Sequence, residues 1–133
     1  MHKILIVEDE AVLLDAYKIL LGTQPDYDVY TATNGQEAFE ACQKNIFDII
    51  LLDLMMPQLD GVGFLKKAKL TDVHPHTKVL IMSNLSSGDL LSEALQLGAH
   101  DHYVKSSLGP SELMSIIKEH VNTPISTSGN LSK

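Results

Sequence analysis

Three short runs of the chain are apolar at every position: Ile4-Leu5-Ile6-Val7, Ile49-Ile50-Leu51-Leu52 and Val79-Leu80-Ile81-Met82. A strand with one wet face alternates apolar and polar residues, whereas a strand covered on both faces does not. Each run therefore reads as an inner strand of a sheet wrapped by helices. Weaker candidates at Val29 to Ala32 and His102 to Val104 bring the expected strands to five.

Helical spacing fills the intervals, as in Leu13, Ala16, Tyr17 and Leu20, with Gly22 where a helix stop belongs. Asn34 with Glu37, and Ser86 with Asp89, look like capping pairs. Asp60 is placed to cap the third helix, Gly98 to end the fourth, and Pro110 to sit in a first turn. The order is βα repeated five times, which implies right-handed crossovers and a parallel sheet. The expected fold is α/β, a flavodoxin-like doubly wound five-stranded sheet of strand order 2-1-3-4-5. Ligands of such sheets sit at the carboxyl ends of the strands.

The 133 residues suffice for one core and not for two. Polar, turn-prone residues from Thr123 to Asn130 place the domain at 2–121 and leave 122–133 as a polar tail or linker stub. The chain is then either a stand-alone unit or part of something longer. A net charge of −7, with ten lysines and no arginine, argues against direct nucleic-acid binding, which needs a basic contact field and favours the arginine fork. The single cysteine, Cys42, permits no internal disulfide or thiolate cluster. The apolar start, Ile4 to Val7, is too short for a signal peptide or membrane span. A cytoplasmic, non-membrane protein is expected.

The residues that follow each strand carry the chemistry. Glu8-Asp9-Glu10 follow the first, Asp53 the third, Ser83-Asn84 the fourth and Lys105-Ser106 the fifth. Strands one and three are neighbours, ~4.8 Å apart, so Glu8, Asp9 and Asp53 should crowd together. Facing carboxylates repel unless a cation intervenes, and an all-oxygen site with room for water suits Mg²⁺. Such an ion would neutralise the site and leave one carboxylate free to attack phosphorus. Lys105 can hold a phosphoryl oxygen as a point charge and the Ser83 hydroxyl can bond another.

Ile4 through Glu10, Asp53-Leu54-Met55-Met56-Pro57, Asp60-Gly61, Ser83 and Tyr103-Val104-Lys105 together resemble the receiver domain of two-component response regulators. The resemblance covers residues 2–121. It implies transfer of a phosphoryl group from a histidine kinase or histidine phosphotransfer protein to Asp53, with Glu8, Asp9 and the Met55 backbone carbonyl holding Mg²⁺. It implies a signalling domain that assists its own phosphorylation and dephosphorylation rather than an enzyme. A downstream effector would read the changed surface, and a phosphorylation-dependent dimer is compatible with this. Phosphorylation would draw Ser83 toward Asp53 and let the residue three before Lys105 turn inward, with the fourth and fifth helices framing the output face. That residue is His102, where the family often has Tyr or Phe. Two other departures are Ser106 in place of the family's proline after the lysine, and Asn84 in place of a small residue.

Blander readings compete at several of these positions. Glu10 reads as a first-turn dipole partner, and Lys66, Lys67 and Lys69 as a solvated helix face. Cys42 reads as a packing residue or inert thiol, and the His74-Pro75-His76 and His100-Asp101-His102 pairs as surface or packing residues. An FMN carrier would need a hydroxyl- or glycine-rich phosphate loop where the chain has Glu8-Asp9-Glu10. A haloacid-dehalogenase-type phosphatase would need Asp where it has Met55. A degenerate receiver acting as a phosphorylation-independent interaction module remains the alternative, motivated by Asn84 and Ser106.

Overall fold

The computed structural model describes residues 1–84 and 88–123. Five parallel strands, β1 (His2–Val7), β2 (Tyr27–Ala32), β3 (Ile49–Asp53), β4 (Lys78–Ser83) and β5 (Asp101–Val104), form one sheet of order β2-β1-β3-β4-β5. The helices are α1 (Ala11–Gly22), α2 (Gly35–Lys44), α3 (Gly61–Ala68), a single turn α4 (Leu70–Val73), α5 (Gly88–Gln96) and α6 (Pro110–Asn122). α4 adds a sixth helix to the five expected, and a 3₁₀ turn at Lys105–Ser107 follows β5. The expected tail, 122–133, lies outside the described residues from 124 onward, as does Ser86 of the expected α5 cap.

The unbroken apolar runs follow from burial on both faces. Leu5, Val7, Ile50, Leu52, Val79 and Ile81 pack with Ala38, Cys42, Phe64, Leu65 and Ala94 of α2, α3 and α5. Ile4, Ile6, Ile49, Leu51, Leu80 and Met82 pack on the other side with Leu14, Tyr17 and Leu21 of α1 and Leu113 and Ile117 of α6. Every residue of β3 and β4 is buried, whereas the edge strands β2 and β5 are mostly half-buried. That is why the edges read weakly in the sequence.

The helix ends follow local chemistry. The Asn34 side chain accepts the Glu37 N–H at 2.9 Å, and Glu37 Oε1 accepts from the Thr33 N–H at 2.7 Å. Pro110 occupies the first turn of α6. Gly98, at φ +108°, turns the chain out of α5 in a conformation that glycine adopts without strain. The Asp60 side chain accepts the Gly63 N–H at 2.8 Å and caps α3. Asp60→Ala is expected to cost about 1 kcal/mol in urea unfolding, and an unchanged midpoint would show that this cap contributes nothing.

Candidate functional site

Alternation along the strands sets which side chains meet at their carboxyl ends. Ile6 and Leu51 face α1 and α6, and Tyr103 of β5 packs in the same layer. Two residues on from each, on the same face, stand Glu8, Asp53 and Lys105. Residues one step off would face the other layer, as His102 does beside Ile81 in the β4–β5 register.

The three side chains converge. Lys105 Nζ lies 2.8 Å from Glu8 Oε1 and 3.0 Å from Asp53 Oδ2, and Glu10 Oε1 is 3.9 Å away. Glu8 is fully buried and Asp53 nearly so, at 4% exposure, while Asp9 faces solvent. Ligand oxygens of Glu8, Asp9 and Asp53 all fall within 4.8 Å of one another. The Met55 backbone N–H donates to Asp53 Oδ1 at 3.2 Å, and the Glu10 N–H donates to Glu8 Oε2 at 3.1 Å. Ser83 is buried at the end of β4, one residue past Met82, the register partner of Asp53.

Burial pushes the Glu8 and Asp53 carboxyls above the ordinary carboxylate range. Lys105 and the backbone donors pull against that shift, and the charges of Asp53 on Glu8 and of Asp9 on Asp53 add to it. Burial alone would lower the Lys105 ammonium, but its hydrogen bonds and charge interactions with Glu8 and Asp53 outweigh that and raise it. Glu8, Glu10 and Asp53 share the Lys105 ammonium, and Asp9 adds a fourth carboxylate to the cluster. Glu8 Oε1 is fully buried, and among the described residues its close polar company is the Lys105 ammonium at 2.8 Å. Hard oxygen donors, excess negative charge and that oxygen together fit Mg²⁺.

The backbone beneath Asp53 is fixed by a close approach. A Cβ built at Gly61 would fall 2.6 Å from the Asp53 carbonyl oxygen and 2.9 Å from Leu54 Cα. The Gly61 N–H donates to the Leu54 carbonyl at 3.1 Å. Only glycine lets the start of α3 seat against the end of β3.

Two neighbours of the site escape sequence reasoning. Glu10 precedes α1 without capping it through its side chain, and instead faces Lys105. Tyr17, readable only as an apolar-spaced helix position, is buried; burial raises its phenol pKa, and the charge of Glu8 adds to that. Two sequence departures also resolve. Every described peptide bond, Lys105–Ser106 included, is trans, and Asn84 is exposed beside Ser83. His102, the expected switch residue, faces solvent.

The comparisons agree with this geometry. Residues 4–118 match the family model of the response regulator receiver domain. The chain is 33% identical over 121 residues to the transcriptional regulatory protein LnrK of Bacillus subtilis, covering 90% of this chain and 54% of that protein. It is 32% identical over 117 residues to the transcriptional regulatory protein SrrA of Staphylococcus aureus, covering 88% and 46%. The chain thus spans about half the length of these curated relatives. A CheY-like response regulator receiver domain protein from Methanospirillum hungatei superposes with a TM-score of 0.82 at 27% identity, over 92% of this chain and 94% of that one. A receiver domain protein from Clostridium thermocellum gives 0.78 at 27% identity, over 92% and 95%. With the sheet order, the acidic cluster and its lysine in place, this chain belongs to the response regulator receiver domains of two-component systems.

Proposed function

We propose that Asp53 is the phosphoryl acceptor of this receiver and that Glu8, Asp9 and Asp53, with the Met55 backbone carbonyl, hold Mg²⁺. The observation that carries the reading is the gathering of three carboxylates within 4.8 Å around an ammonium 3.0 Å from Asp53. Asp53 supplies a carboxylate oxygen to phosphorus as the P–N bond of a phosphohistidine donor breaks and the departing imidazole nitrogen takes a proton. Lys105 is within reach to turn from Asp53 to a phosphoryl oxygen, and Ser83 would hydrogen-bond another. The ion, when bound, supplies charge neutralisation where the phosphoryl oxygens arrive.

Family membership brings a histidine kinase as donor and a downstream effector as reader. A phosphotransfer protein as the immediate donor, a cytoplasmic location and a phosphorylation-dependent dimer belong to the same reading. So does 2–121 as the folded unit. No described helix is long and apolar enough to cross a membrane. The net charge of −7 favours a protein reader over nucleic acid for this domain itself. His102, exposed on β5 with Ile81 as its register partner, is the proposed residue that turns inward when Ser83 moves toward a phosphorylated Asp53.

Mass spectrometry after incubation with a small-molecule phosphodonor should show one added phosphoryl group, carried by the proteolytic peptide that contains Asp53. Chelation should prevent it. Asp9→Ala should weaken Mg²⁺ binding by at least about tenfold, about 1.4 kcal/mol, with the fold intact because Asp9 is exposed. Labelling on another peptide, or full labelling without a divalent ion, would remove Asp53 from the role.

A further inference from the structure

The lysines that follow the start of α3 are not simply a solvated face. Between α2 and the α3–α4 corner runs a groove of about 430 Å³, lined by Phe39, Cys42, Lys67, Lys69, Leu70 and Val73 among others. Its floor is apolar: Cys42 and Leu70 are buried, Phe39 is half-buried, and Val73 is 60% exposed among the described residues. The Cys42 thiol is pushed up to about 12 by burial, so it lines the groove as a packing atom and not as a nucleophile.

The rim is positive in an otherwise acidic protein. Segment 61–73 carries Lys66, Lys67 and Lys69 against Asp72 alone, while the whole chain is at −7. Lys66 is spent on Glu93 at 2.7 Å. Lys67 reaches across to α2, 2.7 Å from Gln36 Oε1 and 4.5 Å above the Phe39 ring. Among the described residues, no carboxylate lies within 4.0 Å of the Lys67 or Lys69 ammonium. Lys69 also joins α3 to α4 in the left-handed region, φ +49° and ψ +50°. Glycine or asparagine is the usual residue there, yet this position carries a long cation on the groove's edge.

We propose that this groove docks a short acidic amphipathic segment of a partner protein. Its apolar side chains would enter over Phe39, Leu70 and Val73 while its carboxylates meet Lys67 and Lys69. This is the helix-in-groove mode, in which anchors at helical spacing supply affinity and rim charges supply orientation and rate. The surface lies away from the face framed by α5, β5 and α6, so the proposal stands apart from the phosphorylation reading. Binding is expected to persist in Asp53→Asn.

A displayed random library of peptides about 12 residues long, roughly three helical turns, panned against the full chain tests this. Recovered peptides should be acidic with apolar residues three or four apart, and should shift the NMR signals of Phe39, Cys42 and Val73. Lys67→Glu should weaken them at least about tenfold. Lys69→Gly should weaken them while melting at or above the wild-type temperature, because glycine relieves the left-handed backbone. No enrichment, neutral or basic binders, signals on another face, or undiminished binding to Lys67→Glu would each overturn the proposal. So would a concentration-dependent dimer of the chain seated on the groove, which would make a second copy the occupant.

Discussion

Asp53→Asn is expected to leave the protein without any phosphorylated species and, in the absence of Mg²⁺, to make it more stable. Both effects come from the same carboxylate. Asn lacks the anionic oxygen needed to attack phosphorus, so labelling falls to background. In the metal-free protein three carboxylates, Glu8, Glu10 and Asp53, lie within 4.0 Å of Lys105, and Asp9 gathers with Glu8 and Asp53. Removing one buried negative charge relieves burial cost and repulsion, against the loss of a 3.0 Å contact to Lys105, which keeps Glu8. The net gain should be on the order of 1 kcal/mol, about 3 °C in Tm for a chain of this length.

The sign with pH follows from the raised Asp53 carboxyl. A folded pKa above the unfolded value means that protonated Asp53 is the form the fold prefers. Its favourable contribution is present below the unfolded value of about 3.9 and is lost as pH rises through the folded one. The stability gain of Asp53→Asn should therefore appear across that window and vanish in acid. Saturating Mg²⁺ should raise the wild-type Tm more than the variant's, by mass action on an intact site. A variant less stable than wild type without metal at neutral pH would mean that the Lys105 contact outweighs the repulsion.

The inner strands are legible because burial on two faces leaves a plain mark: Ile49 to Leu52 can belong to little else. The edges are less so. Tyr27 and Asp28 belong to β2 but are half-buried, and their polarity hides them from a search for apolar runs. The turn α4 is invisible for a different reason, since Lys69 adopts a left-handed conformation that its residue type does not announce. At the site, Glu8, Asp9, Asp53, Ser83 and Lys105 are readable because each stands at or just past the carboxyl end of a strand, and topology alone brings strand ends together. Glu10 and Tyr17 are not, because their roles depend on how α1 leans on the sheet, and an acidic residue before a helix has a commoner explanation in capping. The partnership of Lys67 with α2 is likewise a product of packing between helices, 31 residues apart in sequence.

Lys105→Met should produce the opposite imbalance and the larger stability change. Among the described residues Lys105 is the one cation within ion-pairing distance of Glu8, and its side chain is only 11% exposed. Methionine keeps most of the volume and removes the charge, leaving Glu8 and Asp53 buried, close together and uncompensated. Breaking a buried pair in this way costs about 3 kcal/mol at the lower end of the usual range, roughly 10 °C in Tm. The lower end applies because Asp9 and Glu10 keep the cluster open to water. The cost should depend on pH in a defined direction. Lys105 has its ammonium raised above the ordinary value, so its contribution is complete below the unfolded pKa of about 10.4 and is lost only as pH rises through the folded one. On the acid side the deficit should shrink as Glu8 and Asp53 take up protons and the charges that Lys105 offsets disappear. Mg²⁺ should substitute for the missing cation, so the variant should gain more Tm from the ion than wild type does. Urea unfolding of both proteins at neutral and acid pH, with and without Mg²⁺, measures all of this. A deficit that is small at neutral pH, or equal at neutral and acid pH, would mean that Lys105 does not hold these carboxylates together.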